Sequence, residues 1–440
     1  MISRRDLLRT GAGLAVGAAG LPMIGAAKAR AQDKVELKYK PEEGASLRVT
    51  RWSPFVSGDE TAWLANTKKF TEATGIEVRI DKESWEDIRP KAAVAANVGS
   101  GPDIMWVWFD DPQQYPDKLA DLTDLADYLG GKYGGWYDGP KSYATNDGKF
   151  VGLPLATIGN AMVYRKSIVE KAGFSEFPKD TEGFLKLCQA LKEKGLPQAG
   201  FTQGHGVGDG NNYAHWLLWS HGGKMVDENN KVTINSPETL EAIKYATELY
   251  KTFIPGTESW LDVNNNRAFL AGQVSVIANG VSAYYAAKND PKMAELAKDI
   301  GTTNLPVGKS GKDIELHQVT SMVLFKYSKY PNAAKAYLQF MFEKPQMDEW
   351  IKGSSAYCCQ TLKAYADNPI WTADPAFAPY AKASETLRTN GYAGKLGPAS
   401  AAVMADYVLV DMFAEACTGQ QSPEGAAARA EKRAKRYYEA

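Results

Sequence analysis

Strand and helix patterns alternate from residue 46 to residue 109, and this alternation constrains the fold more than any other feature of the chain. Two segments alternate apolar and polar residues as strands do, SLRVTRW (46–52) and IEVRID (76–81), and a third is the apolar run PDIMWVWF (102–109). A helical pattern lies between each pair of strands, and the first helix is expected to end at Gly75. Because strands separated by helices form parallel sheets with crossover helices, the segment predicts an α/β fold.

The same rhythm continues to the C-terminus. Further extended patterns cover 153–158, 161–164, 303–308 (TNLPVG) and 317–325, with helical patterns among them. Three hydroxyl side chains are expected to cap helices: Thr181, Ser236 and Ser422. One sheet does not accommodate this many units, and 440 residues exceed a single compact core. The sequence therefore predicts two α/β lobes, each with a mainly parallel sheet flanked by helices.

The N-terminal 31 residues have the pattern of an export signal. Adjacent arginines in SRRDLLR (3–9) precede a short apolar run that contains Pro22, and Ala29-Arg30-Ala31 supplies small residues for signal peptidase. The run is too short and too rich in glycine for a membrane anchor. We predict that residues 1–31 are a twin-arginine (Tat) signal peptide, removed near Ala31, and that the mature chain works in a bacterial periplasm.

The charge balance argues against a nucleic-acid partner. The whole chain has a net charge of −1, and removal of the signal, which carries five basic residues and one acid, leaves −5. Phosphate binding needs a clustered surplus of lysine and arginine, which a mildly acidic chain does not supply. The 11 tryptophans and 22 tyrosines are the unusual part of the composition, and they suit either carbohydrate binding or an aromatic core.

Six short segments, in order and at matching spacing, resemble the maltose-binding-protein-like extracellular solute-binding family 1, the receptors of carbohydrate ABC importers. They are FTEATGIEVRI (70–80), GSGPDI (99–104), DGKFVGLPL (147–155), VYRKSIVEKAG (163–173), AFLAGQVSVIANG (268–280) and NAAKAYLQFM (332–341). The resemblance implies a type II-like periplasmic-binding-protein fold with a hinged cleft. It also implies an N-lobe of residues 33–156 plus 304–352 and a C-lobe of residues 157–303 plus 353–440.

The resemblance implies a monomeric, non-enzymatic receptor without cofactor or metal. Such a receptor binds a sugar, oligosaccharide or polyol in the cleft and delivers it to an inner-membrane ABC permease. The residues alone leave other classes open: a secreted glycoside hydrolase, a cofactor-loaded oxidoreductase, and a receptor for an amino acid or polyamine. No cofactor motif, metal-ligand spacing of the four histidines or serine nucleophile motif favours the enzymes.

Two pairs of candidate ligand contacts follow strands. In an open α/β sheet the ligand lies beyond the carboxyl ends of the strands, which is where Trp52 and Ser53 follow the first strand and Asp110 and Asp111 follow the third. Carboxylates bind sugar hydroxyls and aromatic rings cover sugar faces. The resemblance matches Asp110 to a hydroxyl-binding acid, whereas Asp111, ahead of Pro112, is also suited to capping the next helix.

The remaining candidate contacts come from the resemblance alone. They are Asn160, Asn212, Tyr213, Ser282, Tyr284, Tyr357 and Asp406. Ser282 and Asp406 stand where relatives carry stacking tryptophans, and Ile158 stands where a relative carries an acid. These departures argue against a long maltodextrin and favour a smaller or differently charged polyhydroxylated ligand.

Three further features remain outside this assignment. The glycine-rich GHGVGDGNN (204–212) lacks a phosphate-loop pattern and is expected to be a flexible surface loop or part of the cleft rim. Residues 262–267 (DVNNNR) imitate the start of a calcium loop, but Arg267 replaces its required glycine. Cys188 and Cys417 are either buried thiols or a pair, and the adjacent Cys358 and Cys359 rarely bridge without strain.

Overall fold

The computed structural model describes residues 36–311 and 315–440. The predicted signal peptide, residues 1–31, lies outside the described residues. From Leu37 onward the described chain forms one compact unit. Among the described residues there is no helix that is both long enough and apolar enough to cross a membrane.

The first sheet has five strands. They are β1 (Ser46–Trp52), β2 (Glu77–Glu83), β3 (Ile104–Trp108), β6 (Leu153–Ile158) and β11 (Gln318–Leu324), in the order β2–β1–β3–β11–β6. Strand β1 pairs in parallel with β2 and β3, whereas β11 is antiparallel to both β3 and β6. Four strands therefore share one direction and β11 is reversed.

The second sheet has four strands. They are β7 (Ala161–Arg165), β8 (Gln198–Ala199), β9 (Val274–Asn279) and β10 (Ile300–Thr303), in the order β10–β7–β9–β8. Strand β7 is antiparallel to β9 and β10, and β8 is parallel to β9. A separate hairpin pairs β4 (Thr145–Asn146) with β5 (Lys149–Phe150). The prediction of two mainly parallel sheets is confirmed, with one reversed strand in each sheet.

Eighteen helices of the described residues flank the sheets. They are α1 (Ser57–Thr74), α2 (Ile88–Val98), α3 (Thr123–Lys132), α4 (Asp138–Ala144), α5 (Lys166–Ala172), α6 (Thr181–Glu193), α7 (Asp209–Ser220), α8 (Pro237–Tyr250), α9 (Asn264–Leu270), α10 (Ser282–Asn289), α11 (Ala294–Asp299), α12 (Pro331–Phe342), α13 (Lys344–Gly353), α14 (Ile370–Ala373), α15 (Ala383–Thr386), α16 (Pro398–Ala405), α17 (Val408–Cys417) and α18 (Pro423–Tyr438). Short 3-10 turns, including Asp111–Gln113, connect several of them.

Local sequence explains where several helices begin and end. Helix α1 ends at Gly75, which adopts the left-handed conformation with φ 76°. Ser236 caps α8 by accepting the Thr239 amide, and Ser422 caps α18 by accepting the Gly425 amide. Both cap predictions are confirmed.

Two local predictions are wrong. The cap of α6 is Asp180, whose carboxylate accepts the Gly183 amide at 2.8 Å, so the expected cap Thr181 is instead the first helical residue. Residues 304–308 lie outside both sheets, and Val307 forms an isolated bridge with the loop residue Asp180 rather than pairing with a strand.

Tryptophans form the core of the first sheet and its helices. Trp52 and Trp63 contact Trp106 with ring centroids 4.4 Å and 4.5 Å apart, and Trp350 completes the cluster. The buried ion pair of Arg51 and Asp59 lies among these rings, and the Trp350 indole donates to Asp59 at 2.6 Å. Much of the tryptophan in the composition therefore serves the core.

The chain passes between the two sheets more than once. It leaves the first sheet after Ile158 and enters the second at Ala161, and it returns between Thr303 and Gln318. A third segment, 357–365, contacts the first sheet through Cys359, which pairs with Thr157. These passages bring the carboxyl ends of β6 and β9 to one place.

Candidate functional site

A small cavity lies where elements of the two sheets meet. From the first sheet it is lined by Ile158 at the end of β6 and by Gln318 at the start of the reversed β11. From the second sheet it is lined by Asn279 and Gly280 at the end of β9. The cavity thus occupies the position beyond the strand ends where ligands bind in open α/β sheets.

Two buried carboxylates lie side by side in this cavity. Asp209 is the first residue of α7, and Asp262 precedes α9. One Asp262 oxygen accepts the Asp209 amide at 2.6 Å, and the carboxylate also accepts the Gly208 amide at 3.1 Å. Asp209 accepts a hydrogen bond of 2.6 Å from the Asn265 amide.

Burial sets the protonation of this carboxylate pair. Desolvation raises the pKa of Asp262 to about 6, although the amides of Asp209 and Gly208 oppose the shift. The pKa of Asp209 is raised well above its ordinary value, first by desolvation and then by repulsion from Asp262. The pair is therefore able to hold a proton or to be stabilised by a cationic group.

Three aromatic side chains form another wall. Phe55 follows β1, Trp85 follows β2, and Tyr357 follows α13. Phe55 lies edge-on to Trp85 with centroids 5.2 Å apart, and it lies 6.4 Å from Tyr357. Tyr357 comes directly after two left-handed residues, Ser355 (φ 52°) and Ala356 (φ 65°), and strained backbone of this kind clusters at functional sites.

Amides and a hydroxyl complete the lining. The Asn279 amide donates to the Asn266 oxygen, and the Asn266 amide donates to the Ser282 hydroxyl at 3.0 Å. The side-chain oxygen of Gln318 is buried without a hydrogen-bond partner. The lining thus combines acceptors for hydroxyl or amino groups with apolar ring faces, which is the composition that a polyhydroxylated ligand requires.

A second buried polar cluster borders the cavity. Arg89 of α2 forms an ion pair of 2.5 Å with Asp111, and Asp110 accepts a hydrogen bond of 2.6 Å from Asn390. The cluster meets the cavity wall at Trp85, whose carbonyl accepts the Trp108 indole N–H at 3.1 Å. Desolvation raises the pKa of Asp110 to about 6, against the opposing effect of Arg89.

The structure brings two of the candidate contacts into the cavity, Ser282 and Tyr357. Asp110 and Asp111 lie in the bordering cluster instead. Asp111 also accepts the Trp108 amide at 3.0 Å, and the position that caps the following turn belongs to Asp110, without a side-chain capping bond. Trp52 packs behind the aromatic wall, with its ring centroid 5.4 Å from that of Trp85, and Ser53 is exposed.

The remaining candidates do not line the cavity. Asn160 and Asn212 are buried, each with side-chain polar atoms that have no partner, and Tyr213 stacks on Phe201 with centroids 4.9 Å apart. Tyr284 donates to Asp374 at 2.6 Å. Asp406 forms an ion pair with Arg433 at 3.1 Å.

Sequence reasoning missed most of the lining. The additional residues are Phe55, Trp85, Asp209, Asp262, Asn266, Asn279 and Gln318. Two of these residues lie in stretches that the sequence analysis singled out. Asp209 belongs to the glycine-rich residues 204–212, and Asp262 is the first residue of the segment 262–267 that resembles a calcium loop. Of residues 204–212 only His205 is exposed, so the surface-loop interpretation is wrong. Asp209 of this stretch lines the cavity.

The described residues include no group of three or more His, Cys, Asp or Glu side chains positioned to hold a metal ion. All four cysteines, which lie within the described part of the chain, are free thiols. Burial raises the pKa of the Cys359 thiol to about 11 and that of the Cys417 thiol to about 12.

A family profile and a bacterial relative, both described as binding proteins, match this chain. A family profile described as "Bacterial extracellular solute-binding protein" matches residues 65–379. A protein of Brucella abortus (strain 2308) that is named as a binding protein is 25% identical over 296 residues, which are 64% of this chain and 69% of that protein.

Two solved structures share the fold. Maltose-bound T. maritima MalE3 superposes with a TM-score of 0.77 at 19% identity and covers 89% of this chain and 99% of its own. An ABC transporter solute-binding protein from Agrobacterium radiobacter K84, in complex with ribitol, gives a TM-score of 0.75 at 18% identity over 90% and 100% of the two chains. At these identities the likeness establishes the two-lobe fold alone.

Proposed function

We propose that this chain, which belongs to the bacterial extracellular solute-binding protein family, binds a small sugar or polyol in the cavity between its two sheets. Family membership assigns the chain a binding role rather than a catalytic one. The maltose and ribitol complexes of proteins with the same fold support a polyhydroxylated ligand.

The observation that carries this proposal is the two-sided lining of the cavity. Phe55 and Trp85 approach from the first sheet, whereas Asp209, Asp262 and Asn279 approach from the second. A ligand between them gains contacts from both sides only when the two halves are together. Because only differential binding shifts a conformational equilibrium, such a ligand favours closure.

The closed cavity is nearly filled by its own side chains. Its free interior is about 10 Å³, the room for about one water molecule, so a ligand enters only after the two halves separate. We propose a monosaccharide or short polyol rather than a long maltodextrin, because Ser282 and Asp406 stand where the family resemblance places stacking tryptophans. Among the candidates, Ser282 and Tyr357 are the proposed direct contacts, and the lobes are proposed to divide at the boundaries given by the family resemblance.

Contacts across the cleft support the closed arrangement. The Ser57 hydroxyl of α1 lies 3.0 Å from the Tyr285 hydroxyl of α10, on the opposite side of the cavity. Both side chains are solvent-accessible, so the contact is weak and reversible. We propose that the protein opens and closes about the crossings between the sheets and presents the closed form to an inner-membrane ABC permease.

The proposed location is the periplasm. The adjacent Arg4 and Arg5 and the small residues up to Ala31 support export by the Tat route and removal of residues 1–31. The net charge of −5 that remains supports a receptor without nucleic-acid partners, and the family resemblance supports a monomer.

Calorimetric titration of the purified protein with a panel of monosaccharides, disaccharides and polyols tests the function. We expect one member to bind with a stoichiometry of one and to raise the melting temperature. Lack of binding by every member would contradict the proposal. Hydrolysis of any oligosaccharide in the same panel, followed as new reducing ends, would favour the glycoside hydrolase instead.

A further inference from the structure

The cavity carries a surplus of negative charge and of hydrogen-bond acceptors. Asp209 and Asp262 both line it, and among the described residues around it there is no lysine, arginine or histidine. Gln318 adds an amide oxygen that has no partner, although the residue is only 7% exposed. Because an unpaired buried acceptor is destabilising, this lining requires a ligand that supplies N–H or O–H groups.

The two carboxylates differ in how their charge is offset. Asp262 accepts backbone amides at the N-terminus of α7, and its charge also interacts favourably with the dipole of that helix. Asp209 accepts a bond from the neutral amide of Asn265, and Asp262 repels it. Asp209 therefore has no cationic partner within the lining, so its pKa stays raised and it holds a proton that an ammonium group would displace.

The side-chain amides of Asn266 and Asn279 are used internally, whereas the buried Trp85 indole N–H has no partner. The amide groups of Asn266 and Asn279 donate to Ser282 and to Asn266 respectively, within their own network. Arg89 of the bordering cluster is paired with Asp111. The protein thus leaves the neutralisation of Asp209 to the ligand.

The aromatic wall suits the same ligand group. Phe55, Trp85 and Tyr357 line the cavity together with the two acids. The ring centroid of Tyr357 lies 6.4 Å from that of Phe55, and that of Phe55 lies 5.2 Å from that of Trp85, so the three rings form one continuous wall. Ring faces attract cations, most strongly where water is excluded.

We propose that the solute carries a protonated amino group in addition to its hydroxyls, and that this ammonium pairs with Asp209 against the rings of Phe55, Trp85 and Tyr357. The ligand class is then an amino sugar or amino polyol. The inference rests on the proposed function, because it concerns the same cavity and the same polyhydroxylated solute.

Matched ligands test the inference on the unmodified protein. Calorimetric titrations at pH 7 compare glucosamine with glucose and with N-acetylglucosamine, and 1-amino-1-deoxysorbitol with sorbitol. The acetylated sugar keeps the nitrogen but removes the charge. We expect each amine to bind about 10- to 100-fold more tightly than its neutral counterpart, the range for a hydrogen bond to a charged group.

The outcomes separate the inference from the proposed function. Neutral members that bind as tightly as their amines would overturn the inference and leave the function intact. Absence of binding by the whole panel would overturn both. Tighter binding of putrescine, which has no hydroxyls, than of any panel member would overturn the proposed function while retaining a cationic site.

The variant Asp209→Asn tests the named residue. It keeps an acceptor for Asn265 and removes the charge, so we expect the affinity for the amine to fall about 10- to 100-fold and that for its neutral counterpart to stay the same. Asp180→Asn, at the exposed cap of α6, is the matched control and should change neither affinity. If Asp209→Asn bound the amine and its neutral counterpart each as tightly as the unmodified protein does, the assignment of Asp209 would be overturned.

Discussion

Gly208 packs against Gln318, a residue of the cavity lining. A Cβ at this position would overlap the side-chain amide of Gln318. We expect Gly208→Ala to displace Gln318, to weaken ligand binding and to destabilise the protein by about 1–3 kcal/mol, as overpacking does. Calorimetric titration together with denaturant unfolding measures both effects.

Gly131 provides the control for that substitution. It lies within α3, and a Cβ there would have no neighbouring atom within 4 Å. Gly131→Ala should stabilise the protein by about 0.5–1 kcal/mol through helix propensity and should leave binding unchanged. Equal effects of the two substitutions on binding would contradict the role given to Gly208.

Asp110 should make stability depend on pH. Its pKa of about 6 in the folded protein exceeds the ordinary value, because burial and the neighbouring Asp111 outweigh Arg89 and Asn390. The folded state therefore binds this proton more tightly than the unfolded state, so stability is lost as pH rises from about 4 through about 6. Relative to Asp110→Asn, the unmodified protein should lose about 2 kcal/mol between pH 4.5 and pH 7.5.

Denaturant unfolding at pH 4.5 and pH 7.5 measures this difference. Other titrating groups, including Arg89, Asp111, Tyr143 and Tyr438, are present in both proteins, so the comparison isolates Asp110. A difference in unfolding free energy that does not change with pH would show that Asp110 keeps an ordinary pKa.

The central acids of the cavity illustrate what sequence reasoning does not reach at this scale. Asp209 and Asp262 are 53 residues apart in the chain, and only the packing of α7 beside the start of α9 brings them together. Asp209 lies in a stretch that was compared with a phosphate loop, and Asp262 lies in one that was compared with a calcium loop, so neither pattern predicted a pair of carboxylates. Tyr357 and Ser282, by contrast, follow recognisable family segments, which is why the resemblance found them.

Among the elements, helix α7 depends on an acid from outside the helix. Asp262 accepts the amides of Gly208 and Asp209, which an isolated helix leaves without partners. We expect Asp262→Ala to destabilise the protein by about 1–3 kcal/mol and to weaken ligand binding, because Asp209 loses its fixed position. Thermal unfolding and calorimetric titration are the measurements.

Asp180→Ala is the control for Asp262→Ala, because it also removes a carboxylate that accepts an amide at the start of a helix. Asp180 accepts the Gly183 amide at the exposed start of α6, so its removal should cost about 0.5–2 kcal/mol without affecting binding. If both substitutions left binding intact, α7 would not position the site.

The elements themselves were largely predictable, and the exceptions have physical causes. Strands β1 to β3 follow clear periodic patterns, and Ser236 and Ser422 cap helices as their side chains allow. The cap of α6 shifted to Asp180, because a carboxylate and a hydroxyl are adjacent and both are competent caps. The extended pattern near Val307 was correct locally, but pairing with a sheet depends on distant strands.

At the scale of the whole molecule, two sheets joined by several crossings place their strand ends around one cavity. The alternating pattern predicted two such lobes, because one sheet does not hold so many units. It could not predict how closely they approach, since contacts such as that of Ser57 with Tyr285 join residues 228 positions apart. The lobe boundaries stay a prediction.

The measurement that tests the account most directly is a calorimetric titration of a variant whose cavity is filled. Gly280 lines the cavity, and a Cβ there would lie 3.3 Å from the Tyr357 ring, so Gly280→Leu should occupy the ligand's space. Gly131→Leu, in α3, is the control. With the tightest-binding sugar or polyol, we expect the unmodified protein and Gly131→Leu to bind one equivalent and a folded Gly280→Leu to bind none; unchanged affinity of Gly280→Leu would contradict a ligand site in this cavity.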